Sequence, residues 1–162
     1  MSRALPATLL LAPSLTLAGC APQVGSAEPE AKAAAADIED PAEYYLAAIC
    51  PANDANDANW AALQEGDLEE VTRTAADARA ASEDAADLLR DSPVVWPADV
   101  IDDLPIVADS FAGDVEPYDE MSRASSIEEA AAVQFPDITE AIEASKRVRG
   151  VLGLPEDTAK GC

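Results

Sequence analysis

Carboxylates and thiols carry whatever chemistry this chain can do. Its 162 residues hold 32 Asp and Glu against 10 Lys and Arg, with three cysteines and no histidine. Without an imidazole, Ser-His-Asp and Cys-His catalysis and histidine-ligated metal centres are excluded. A formal net charge of −22 excludes nucleic-acid binding through a basic face, because a phosphate backbone would be repelled. The acids gather at Asp99, Asp102 and Asp103, at Asp114, Glu116, Asp119 and Glu120, and at Glu128 and Glu129. A facing pair of carboxylates could do the acid–base work of glycoside hydrolysis. So many acids will match any spacing, however, so the clusters predict a solvated acidic face and no particular catalytic residue.

The run Asn53-Asp54-Ala55-Asn56-Asp57-Ala58-Asn59-Trp60 has part of the spacing of a calcium loop. Counted from Asp54, Asn56 takes the third position and Glu65 the twelfth. Ala58 and Asn59 stand where a ligand and the turn glycine are needed. Asp54, Asn56 and Glu65 are thus partial candidates for a weak Ca²⁺ or Mg²⁺ site, and the run reads better as an Asx-rich connection or cap between helices. A Gly-rich phosphate loop, a nucleophile elbow and a Cys-rich metal spacing are all missing, so no metal centre and no cofactor is predicted. Trp60, Trp96, Phe111 and the Tyr44-Tyr45 pair are expected as core anchors.

The thiol at Cys20 has a more specific setting. Met1-Ser2-Arg3 is a short basic start, Ala4 to Thr16 is a leucine-rich run too short to span a bilayer, and Leu17-Ala18-Gly19-Cys20 follows. These four residues match the lipobox position by position, and here the chain resembles bacterial lipoproteins. The resemblance implies lipid transfer to Cys20 and cleavage before it by the lipoprotein signal peptidase. The resulting diacylglycerol and acyl chains would anchor the protein to the outer face of the cell membrane. Ala21 follows the cysteine, so the aspartate that marks inner-membrane retention is missing and an outer-membrane destination stays open. Loss of Arg3 with the leader leaves the mature chain one unit more acidic.

With Cys20 taken by lipid, Cys50 and Cys162 remain. Outside the membrane these two are expected to form an intramolecular disulfide, with free thiols or an intermolecular bridge as the alternatives.

Residues 20–37 mix Ala, Pro and Glu without apolar periodicity and read as a flexible tether. Residues 38–162 are patterned as helices. Asp40-Pro41-Ala42-Glu43 places an N-cap, a proline at the first helical position and a capping-box glutamate, and Pro51 is expected to interrupt this helix. Gly66-Asp67 opens a second helix, whose Leu68, Val71, Ala75, Ala78, Ser82, Ala85 and Leu89 recur as a seam. Glu69 and Arg73 are spaced as an i,i+4 pair on its wet side. Pro97 is expected to start a third helix with Val100, Ile101, Leu104, Val107, Ala108 and Phe111 inward. Pro105 should kink or split it, and Gly113 and Pro117 should bound it. Ser125 and Ser126 before Glu128 and Glu129 repeat the capping pattern. Pro136 is expected to begin a last helix with Ile138, Ile142, Val148 and Leu152 inward and Gly153 as its stop.

The fold class expected is all-α: a small antiparallel bundle of four to five helices after a signal peptide (1–19) and tether. The function expected is a lipid-anchored, extracytoplasmic, non-enzymatic module that binds an envelope protein or plays a structural part. The alternatives are a small carboxylate-based cell-wall enzyme or a weak Ca²⁺/Mg²⁺ binder. Alanine supplies 36 of the apolar residues, so little area is buried per helical turn.

Overall fold

Asp40 opens the first helix by accepting hydrogen bonds from the Ala42 and Glu43 amides at 2.9 and 3.0 Å, with Pro41 pre-set for the first turn. The computed structural model describes residues 35–155 together with Lys32 and Cys162. The expected signal peptide 1–19, the expected Leu17–Cys20 lipobox and most of the expected 20–37 tether lie outside the described residues. The elements are α1 (Pro41–Glu65), α2 (Leu68–Arg90), a 3₁₀ turn (Ala98–Val100), α3 (Leu104–Ser122), α4 (Ile127–Ala132) and α5 (Thr139–Val151). No strand occurs among the described residues, and the chain is the all-α helical bundle its patterning predicts.

Gly66 ends α1 in the left-handed region at φ 75°, returning its amide to the Ala62 carbonyl, and Asp67 at once caps α2 through the Glu69 and Glu70 amides. This tight turn makes α1 and α2 an antiparallel hairpin: Asn59 reaches Val71 near the turn, while Tyr44 reaches Leu88 at the open end. α3 lies along the hairpin, and α5 returns antiparallel to α3, tied to its start by Arg147 and Asp103 at 2.6 Å. Ser126 caps α4, and the Glu129 carboxylate closes back on the Ser125 amide at 2.7 Å.

Two prolines and a glycine do not act as boundaries. α1 runs through Pro51, and α3 runs through Gly113 and Pro117 to Ser122. A proline inside a helix removes one backbone hydrogen bond and costs about 3 kcal/mol. In α1 that local loss is offset by burial of Tyr45, Ala48, Ile49 and Ala52 on a continuous inner face. The Asn53–Trp60 run is therefore helix, not a connection. Pro105 does split the third segment, separating the 3₁₀ turn from α3.

The α2 seam is buried from Val71 to Leu89, with Leu68 half-buried at its start. Arg73 bonds Glu70 at 2.5 Å and Asp77 at 2.7 Å rather than Glu69, because these two acids flank it on the outer stripe. The last helix begins at Thr139, held by the Asp137 carboxylate at 2.9 Å, three residues after Pro136. Ile138 and Ile142 stay 42 % and 45 % exposed, Ile101 is exposed, and Trp60 is 43 % exposed, so none of these four is a core anchor.

Two apolar clusters result. One, at the open end of the hairpin, gathers Tyr45, Ile49, Leu89, Val100, Leu104, Val107 and Val148, with Trp96 edge-on to Tyr44 at 5.9 Å. The Cys50–Cys162 disulfide closes it, with Cα atoms 5.2 Å apart. Cys50 sits within α1 and not at its end, because the helix continues past Pro51. The other cluster, at the turn end, gathers Ala62, Val71, Ala75, Ala78, Tyr118, Met121, Ala124 and Ala130, with Phe135 edge-on to Tyr118 at 4.9 Å. Lys32 pairs with the buried Asp84 at 3.0 Å, and Ala35 is fully buried, so these two residues of the segment expected to be a flexible tether engage the bundle.

Candidate functional site

Between the two clusters α1, α3 and α5 leave a groove of about 510 Å³. Each helix lines it with residues three and four apart, the stripe that one helical face presents. α1 contributes Ile49, Ala52, Asn53 and Asn56, and α3 contributes Val107, Ser110, Phe111, Asp114 and Tyr118. The α5 side contributes Ile138, Ala141, Ile142, Ser145 and Lys146, and Ser82 of α2 reaches the lining between them. The groove exists because Ala52, Ser82, Ser110, Ala141 and Ser145 are too small to fill the space between these helices. Ile138 and Ile142 therefore form a wall facing an opening instead of a packed interior.

Its polar groups are few and fixed. The Tyr118 hydroxyl donates to the Asn56 side-chain oxygen, and burial holds the phenol well above its ordinary range. Tyr45 and Ser145 share a hydrogen bond of 3.0 Å that joins α1 to α5 beside the groove. Lys146 at the rim is engaged by Glu143 at 2.7 Å, which draws the Glu143 carboxyl below its usual value. Asp114 is different. No hydrogen bond or ion pair reaches its half-buried carboxylate among the described residues, and burial pushes it up to about 6 from 3.8.

The acidic clusters are dispersed by the fold. Asp103 is held by Arg147, which lowers it, while Asp119 pairs with Arg123. Glu116 and Glu120 face a shallow recess beside Phe135, and Glu128 and Glu129 are exposed in the first turn of α4. Only Asp114 enters the groove among the described residues, so the lining offers one carboxylate where paired acid–base chemistry needs two. Asp54, Asn56 and Glu65 do not come together. All three lie on the continuous helix α1, where eleven residues at 1.5 Å each put Asp54 and Glu65 about 16 Å apart. Asn56 is committed to Tyr118, and no acid or cysteine group among the described residues is arranged to hold a metal ion.

Sequence patterning missed Asp114, Tyr118 and the groove role of Ile138 and Ile142. One signal was available: Val107, Phe111, Asp114 and Tyr118 share a single helical stripe, so Asp114 is the acid placed on the apolar face. Set against known proteins, the chain matches no protein family, no curated protein and no solved structure.

Proposed function

We propose that this protein is a lipoprotein anchored through Cys20 to the outer face of the cell membrane, and that its helical domain is a binding module seated at the α1–α3–α5 groove. The groove carries the reading: apolar walls on three helices, a small set of fixed polar groups and one unpartnered carboxylate are the features of a ligand seat. The anchor rests on Leu17-Ala18-Gly19-Cys20. The Lys32–Asp84 contact supports a domain held close to its tether. A neutral environment-sensitive dye such as N-phenyl-1-naphthylamine tests the seat. It should saturate one site on the native domain and lose it in Ala141→Phe, which fills the groove; unchanged binding in that variant overturns the seat. Metabolic labelling with palmitate tests the anchor: the native chain should take up label and Cys20→Ser should not, and an unlabelled native chain would overturn it.

A protein partner is a second reading, favoured by Trp60, which stands exposed beside Phe135 with ring centroids 6.1 Å apart. Photocrosslinking from position 60 in the envelope should then trap a partner, and trapping none overturns that reading.

A further inference from the structure

Among the described residues, Asp114 is the one ionisable group of the groove that the bundle leaves unserved. Lys146 at the rim is taken by Glu143, and Arg147 beyond it by Asp103. The Tyr118 hydroxyl is turned to Asn56. The other polar groups lining the groove are uncharged: Asn53 and Asn56 on α1, Ser82 on α2, Ser110 on α3 and Ser145 on α5. The charges that bear on the Tyr118 phenol are Asp114 itself and another acid, Asp57. A half-desolvated carboxylate with no counter-ion is an unfavourable arrangement, and it becomes favourable when a cation arrives. Around it Ile49, Val107, Phe111, Ile138 and Ile142 offer an apolar surface to whatever carries that cation. The whole chain, at −22, draws cations toward the opening.

We propose that the groove binds a small organic cation, a single ammonium on an apolar body, with Asp114 as its counter-ion. This rests on the groove being the ligand seat. The apolar body lies along the Phe111 and Ile142 walls, and the ammonium replaces the water that the carboxylate has only partly kept. Protonation of Asp114 removes the counter-ion, so acid releases the ligand while the ammonium itself stays charged.

The probes are 4-phenylbutylammonium and its uncharged counterpart 4-phenyl-1-butanol, titrated onto the disulfide-intact domain and followed by amide chemical shifts. At pH 7.5 the ammonium should bind at least tenfold more tightly than the alcohol. Asp114→Asn should abolish that preference by weakening the ammonium at least tenfold. At pH 5 the ammonium should bind about tenfold more weakly, as the carboxylate of native pKa about 6 takes up its proton. Equal binding of the two compounds, or a preference that survives Asp114→Asn, overturns the cation inference and leaves the seat standing. If neither compound shifts the amides around Phe111, Asp114 and Ile142, the seat itself is overturned, and the inference with it.

Discussion

The two ends of the bundle solve the same shortage of large side chains in different ways. The open end collects branched aliphatics from α1, α2, the 3₁₀ turn, α3 and α5, then locks them with Cys50–Cys162. The turn end has mostly alanine, which lets α1 and α2 approach closely around Val71, Tyr118 and Met121. It adds a buried polar clasp in place of bulk: Asn59, fully inaccessible, donates to the Val71 carbonyl and the Thr74 hydroxyl, each at 3.0 Å. The difference explains the groove. Volume is supplied at both ends and withheld in the middle, where Ala52, Ser82, Ala141 and Ser145 line the space.

Removing the disulfide should produce the largest effect and fall on one end. The bond spans 112 residues, and closing a loop of that length restricts the unfolded chain by about 4–5 kcal/mol, the upper end for such a bridge. Cys50→Ser with Cys162→Ser should lower urea-unfolding stability by at least about 3 kcal/mol. Hydrogen exchange should then quicken first in α5 and the start of α1. Uniform loss of protection along α1 and α2 would break the division into two ends.

Asn59→Ala probes the other end. It removes both hydrogen bonds donated by Asn59 and leaves a cavity facing a core with little bulk to collapse into it, so a loss of about 1–3 kcal/mol is expected in the same assay. Exchange should quicken around the α1–α2 turn and leave α5 protected. A neutral result would show that close helix approach alone holds this end.

The smallest effect belongs to the middle and has the opposite sign. The native Asp114 carboxyl titrates near 6 against 3.8 in the unfolded chain, so the folded state binds more protons between these values. Its contribution to stability is therefore lost as pH rises through 6. Asp114→Asn should stabilise the protein on the order of 1 kcal/mol at pH 7, a figure reduced for the carboxylate's partial access to water, and make no difference near pH 4. Destabilisation at pH 7 would mean the carboxylate serves the fold rather than a ligand.

Much of the local structure was legible in the residue order. Asp40, Asp67 and Ser126 announce their helices because a cap needs only a short polar side chain next to free amides. The α2 seam is legible because one long helix keeps one face inward. Pro51, Gly113 and Pro117 misled because a breaker's cost is local, whereas the burial that outweighs it is summed along a whole helix face. Ile138 and Ile142 misled for another reason: their spacing shows a shared face and says nothing of what that face meets. Trp60 behaves likewise, on α1 but turned to the outside with Phe135 as its neighbour.

The order of residues determined the helices, their caps and the surplus of surface acid, because each of these depends on neighbours within a turn or two. Tertiary structure alone decided that α1 runs unbroken through Pro51, that the Asx run is helix and no ion loop, and that one acid among many is drawn into an apolar groove. Those outcomes depend on the volume that other helices bring to the same place. In a bundle built so heavily from alanine, where that volume is missing is what makes a site.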